Sequence, residues 1–132
     1  MTSEPAGLDL VEVEGRFAVI RLGPDAPIPD WAGGGPFSSI TRTEDELSVV
    51  CLDHRVPDDA RAERGWRMVK VSGPLDFALT GVMASLAEPL ATAGVSMFAI
   101  STYDTDYLLV RAAQWEAALT ALQEAGHRIT PA

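Results

Sequence analysis

A chain of 132 residues, 47% hydrophobic and 22% charged, can build one compact unit or two half-sized modules sharing a sheet, and is too apolar for disorder. Its formal net charge of −9 argues against phosphate-backbone binding, which depends on clustered positive charge, so no nucleic acid is expected as a partner. No stretch approaches the roughly 18 continuous apolar residues of a membrane helix, and the start MTSEPAGLDL lacks a charged segment followed by an apolar run, so a cytoplasmic protein with no membrane partner is expected.

In chain order, Leu8 to Leu22 alternates apolar and polar residues on both sides of Gly15, which predicts a β-hairpin turning at Glu14-Gly15-Arg16. Prolines and three consecutive glycines fill Gly23 to Pro36, which leaves room for no more than a helical turn near Pro29 to Ala32; Trp31 is expected to plug an edge of the core. Phe37 to Arg42 and Leu47 to Leu52 read as a second hairpin joined by polar residues. The lone cysteine, Cys51, lies in the second of these runs and reads as a small buried hydrophobe. Asp53 to Gly65 is charged and short of apolar anchors, and marks an internal boundary between residues 1–65 and 66–132. Most of the net charge falls before that boundary, with thirteen acids against six bases, compared with six against four after it.

The second half carries the clearer pattern. Trp66 to Ser72 alternates as a strand, and Leu79, Val82, Met83, Leu86 and Leu90 recur at helical spacing. That helix begins either behind a cap at Asp76 or at Thr80 with Gly81 in its first turn, is disturbed by Pro89, and stops at Gly94. Val95 to Thr102 and Tyr107 to Val110 form a hairpin around Tyr103 to Asp106. Ala112 to Ala125 is a second amphipathic helix with Trp115, Leu119 and Leu122 on one stripe, and His127 to Thr130 is a closing strand. The order is β, α, β, β, α, β.

The segments Phe37 to Cys51, Leu79 to Val95 and Phe98 to Val110 resemble the ACT domain family, and in particular small bacterial ACT proteins related to the ACT modules of aspartate kinases and of CASTOR-type arginine sensors. The resemblance implies an α+β fold: a ferredoxin-like βαββαβ ACT module over 66–132, preceded by a degenerate, strand-rich ACT-like half over 1–65, with antiparallel sheets and helices on one face. It implies a regulatory module that binds an amino acid or similar small effector at an interface between modules, and a homodimer. Carried over by position, the site comprises Leu79, Thr80, Gly81 and Val82 at the helix start, and Thr102, Tyr103, Asp104 and Asp106 in the hairpin.

The same residues support that chemistry on their own terms. The unpaired amides of a helix start can hold a carboxylate, and Asp104 or Asp106 can take an ammonium group through charge-assisted hydrogen bonds. The opposing structural readings stand beside it: Thr-Tyr-Asp-Thr-Asp is also a good turn, Thr80 a good cap, and Gly81 an aid to packing. His54 and His127 sit isolated in charged or terminal segments, and Gly33-Gly34-Gly35 precedes Pro36 rather than a lysine and helix. Neither an enzyme nor a cofactor is therefore expected. The competing function is an interaction module that dimerises through its sheets without a small ligand.

Overall fold

The computed structural model describes residues 7–75 and 80–132. The elements run β1 (Asp9–Leu22), β2 (Ser39–Arg42), β3 (Leu47–Leu52), β4 (Ala62–Val71), α1 (Val82–Thr92), β5 (Met97–Ser101), β6 (Asp106–Arg111), α2 (Trp115–Glu124) and β7 (Arg128–Thr130), with short 3-10 turns at Asp30–Ala32, Asp53–Arg55 and Ala112–Gln114. Two compact units divide the chain: Glu14–Trp66, and residues up to Val13 together with Arg67–Ala132.

The first expected hairpin does not exist. Asp9–Leu22 is one continuous strand rather than two, because Gly15 takes a φ of 112° without reversing the chain. Different partners then bind its two arms: Asp9 to Val11 runs parallel to β7, whereas Phe17 to Leu22 runs antiparallel to β3. The Glu14–Trp66 unit carries strands in the order β2, β3, β1, β4. Its core joins Ala18, Ile20, Leu47, Val49, Cys51 and Val56, with Trp31 and Leu22 packed on it. Asp53 steers the connection back to β4. Its carboxylate accepts Arg64 Nη1–H at 2.9 Å and the Gly65 amide at 2.9 Å, while Arg64 Nη2 donates to the Pro57 carbonyl at 2.7 Å.

Cys51 is fully buried, and that burial, the largest influence, pushes its thiol above the usual 9.0, opposed by the nearby Arg55 charge. The native thiol should therefore resist a disulfide reagent at neutral pH and react fully once the chain is unfolded. Because the folded state holds this proton more tightly, the contribution of Cys51 to stability is complete below pH 9.0 and declines as pH rises above it.

In the second unit the order is β7, β1, β4, β6, β5, and one face of this sheet is covered by the two helices. Leu10, Val69, Val71, Leu108 and Val110 from the strands meet Val82, Leu86 and Leu90 of α1 and Trp115, Ala118, Ala121 and Leu122 of α2. These are the alternate positions of each strand and the i, i+3 and i+4 positions of the helices, so the two periodicities in the sequence converge on one core. Met83 packs at its margin; Leu79, the first member of the expected stripe, and Asp76 as a cap fall outside the described residues. Trp115 is buried, with the Arg67 guanidinium 4.1 Å above its ring and Arg67 also paired with Glu12.

His127 is not an isolated terminal residue. It is only 5% exposed; its Nδ1 accepts the Leu8 amide at 3.0 Å, so Nε2 carries the hydrogen, and Nε2 lies 2.9 Å from the Ser85 carbonyl. Ser85 is four residues before Pro89, which has no amide to return to it. The imidazole supplies the donor that the proline removes, and this is how α1 keeps a proline in its interior.

Candidate functional site

The candidate site lies on the βαββαβ unit, where the connection from β4 to α1 meets the turn between β5 and β6. The turn is closed by Thr102 and Thr105: the Thr102 amide donates to the Thr105 carbonyl at 2.8 Å, and Thr102 Oγ1 donates to the same oxygen at 3.0 Å. Thr105 is 3% exposed, and its hydroxyl donates to the Val71 carbonyl at the end of β4 at 2.6 Å. One turn later in the connection, the Leu75 amide donates to the Asp104 carbonyl at 2.7 Å. Gly73 makes this approach possible, since a Cβ there would stand 3.1 Å from both the Asp104 carbonyl and Thr105 Cβ.

The expected site residues divide by what they present. Gly81, with φ 78°, is the N-cap of α1, and no side chain caps the helix. The amides of the first turn, beginning with Val82, therefore have neither an intrahelical acceptor nor a capping oxygen. The Val82 side chain is buried in the helix-facing core, so an amide is the only group it can offer a ligand. Thr80 is exposed, and Leu79 lies outside the described residues.

In the hairpin, Thr102, Tyr103 and Asp104 are exposed, Tyr103 at 81%, and Asp106 is half-buried. Asp106 Oδ1 accepts the Ser101 hydroxyl at 2.6 Å, which orients the carboxylate across the base of the hairpin. Gly73, Leu75, Ser101 and Thr105 escaped the sequence reading. Only Thr105 left a trace there, as a threonine at the turn-to-strand junction whose hydroxyl needs a partner once buried.

A cavity lies elsewhere. In the Glu14–Trp66 unit a pocket of about 670 Å³ is lined by residues that include Glu14, Arg16, Pro36, Leu52 and His54. None of the expected site residues lines it. Among the described residues no group of three or more His, Cys, Asp or Glu side chains is placed to hold a metal ion, and no helix is long and apolar enough to cross a membrane.

Fold and site define a ferredoxin-like βαββαβ domain of α+β class behind a strand-rich half. Residues 61–124 match the model of the ACT domain family, and a second model, for an N-terminal domain, matches residues 15–59. The cytosolic arginine sensor for mTORC1 subunit 1 of Bos taurus is 34% identical over 99 residues, which is 64% of this chain and 30% of that protein. The chain thus spans less than a third of the curated relative's length. Among solved structures, a protein of Agrobacterium tumefaciens is 42% identical with a TM-score of 0.91, covering 97% of this chain and 96% of its own. The regulatory subunit of aspartate kinase from Thermus thermophilus shares the fold at 15% identity and a TM-score of 0.57, covering 85% of this chain and 93% of its own.

Proposed function

We propose that this chain is a non-catalytic regulatory module that binds a free amino acid at the start of α1 and the β5–β6 hairpin, with the site completed at an interface between modules. The observation that supports this reading is the pair of bonds fixing the β4–α1 connection to the hairpin, Leu75 amide to Asp104 carbonyl and Thr105 hydroxyl to Val71 carbonyl. They bring the connection that leads into the uncapped helix start against the acidic turn. A zwitterion suits those groups: amides for its carboxylate, Asp104 and Asp106 for its ammonium. Arginine is the first candidate, because the relative named above is an arginine sensor and the hairpin carries two acids that a guanidinium can also use. Regulation of a partner protein in the cytosol follows from the same reading.

Thermal unfolding in the presence of each of the twenty amino acids tests it. A ligand at about 100 times its Kd adds about 2.7 kcal/mol, enough to raise the midpoint by roughly 10 °C in a chain of this size. One amino acid, or a small group, should produce that shift, and Asp106→Asn should remove most of it. Flat curves for all twenty would overturn the reading, and an undiminished shift in Asp106→Asn would remove Asp106 from the site.

A further inference from the structure

Strand β3 pairs with β1 only as far as Leu52, which stands opposite Phe17, and the chain then leaves the sheet through the 3-10 turn Asp53–Arg55. Glu14, Gly15 and Arg16 of β1 are thereby left without a β3 neighbour, and together with Pro36, Leu52, Asp53 and His54 they line the pocket of about 670 Å³ in this unit. Gly33-Gly34-Gly35, which leads into Pro36 and not into a helix, has its use here. A Cβ on Gly35 would stand 2.5 Å from Leu52 Cδ1, one on Gly15 would stand 2.8 Å from Leu52 Cδ2, and one on Gly34 would stand 2.9 Å from Arg55 Nη1. All three glycines have positive φ, so bare backbone on two sides admits both Leu52 methyls and the Arg55 guanidinium. A glycine inside a strand, such as Gly15, commonly marks a close approach of this kind.

We propose that this pocket binds an aliphatic monocarboxylate, a ligand distinct from the zwitterion assigned to α1 and the hairpin and held in the other unit of the chain. Its volume lies within the range of pockets that enclose drug-sized molecules and exceeds what a single amino acid fills. The charges select the head group. Arg21, Arg42 and Arg64 of this unit are committed to protein oxygens, whereas among the described residues the exposed guanidiniums of Arg16 and Arg55 hold no ion pair or hydrogen bond. In a chain of net charge −9, two uncommitted guanidiniums beside one pocket are the groups that a carboxylate engages through paired N–H donors. The Asp53 carboxylate does not oppose this, since Arg64 and the Gly65 amide already answer it. Glu14 is left as the uncompensated negative charge in the lining, and it disfavours a second charge on the ligand, so a carboxylate suits the site better than a phosphate. The body of the ligand follows from Leu52 and Pro36: they offer aliphatic surface, and the His54 imidazole is the one ring among the described lining residues, so a flexible chain fits better than a stacked aromatic.

Backbone amide resonances followed during titration with decanoate, kept below its micellar concentration, test the pocket. The amides of Gly15, Leu52 and His54 should shift saturably while those of Gly81 and Thr102 to Asp106 stay still, so the outcome is independent of whether an amino acid effector is found. Decanol, which has the chain without the charge, and acetate, which has the charge without the chain, should each bind about tenfold more weakly or worse. Replacing both exposed arginines, Arg16→Ala with Arg55→Ala, should weaken decanoate by about tenfold or more at unchanged circular dichroism. Glu14→Gln, which changes a different exposed side chain and keeps the test intact if the double variant fails to fold, should tighten it severalfold. No saturable shift, equal binding of decanol, an affinity undiminished in the double arginine variant, a Glu14→Gln variant that binds no tighter, or shifts spread over the whole chain as detergent association would give, would each overturn the proposal.

Discussion

Replacing His127 by alanine should cost about 4 kcal/mol and lower the thermal midpoint by roughly 15 °C, the largest loss expected from any single polar side chain in this protein. Two buried groups are left without partners by that change, the Leu8 amide and the Ser85 carbonyl. The second is unusual in having no substitute within its own helix, because Pro89 cannot donate to it. His127→Phe, which keeps the ring and removes both nitrogens, separates the polar loss from the cavity and should still cost most of the same amount. A cycle with Pro89→Ala then isolates the Ser85 bond. The alanine amide restores a donor to Ser85, so Pro89→Ala should be more favourable in the His127→Phe background than in wild type by about 1 kcal/mol. Equal effects in both backgrounds, measured by urea unfolding, would show that His127 does not hold Ser85.

The second large effect is expected at Thr105. Thr105→Val keeps the shape of a side chain that is 3% exposed and deletes its bond to the Val71 carbonyl. An unpaired carbonyl at the end of a central strand costs about 2 kcal/mol, and the loss falls on the joint between the β4–α1 connection and the hairpin. Stability should drop by about that amount, and the effector-induced thermal shift should shrink more than the stability loss alone explains. Thr105→Ser, which retains the hydroxyl, should recover the shift. A binding shift that is unchanged in Thr105→Val would mean that this joint does not shape the site.

The second half of the chain was largely legible because its elements are short and strictly periodic. Leu86 and Leu90 of α1, Leu108 and Val110 of β6, and Trp115 and Leu122 of α2 are the residues that alternation and helical spacing single out, and they meet in one core. The strand β1 was misread for an equally physical reason. Alternation continues through Glu14-Gly15-Arg16 whether the chain reverses there or runs on, and a glycine with positive φ serves both; only the partners of each arm, β7 and β3, decide between them. Those partners are 25 to 35 residues away for the β3 arm and at the far end of the chain for the β7 arm, beyond any local pattern. His127 was illegible in the same sense: Gly126-His127-Arg128 reads as a polar terminus until Leu8 and Ser85 close around it. For the site, the acidic turn and the glycine at the helix start stood out by residue type, whereas Leu75 and Gly73 contribute a backbone amide and a missing Cβ, which no residue type advertises.

The most direct measurement is a titration followed residue by residue through the backbone amide resonances, with arginine first and then the remaining amino acids. Saturable shifts should concentrate at Gly81 and the first turn of α1 and at Thr102 to Asp106, leaving the Glu14–Trp66 unit nearly still. No saturable shift with any of the twenty, or shifts gathered instead around Leu52 and His54, would contradict the placement of an effector at the helix start and the acidic hairpin.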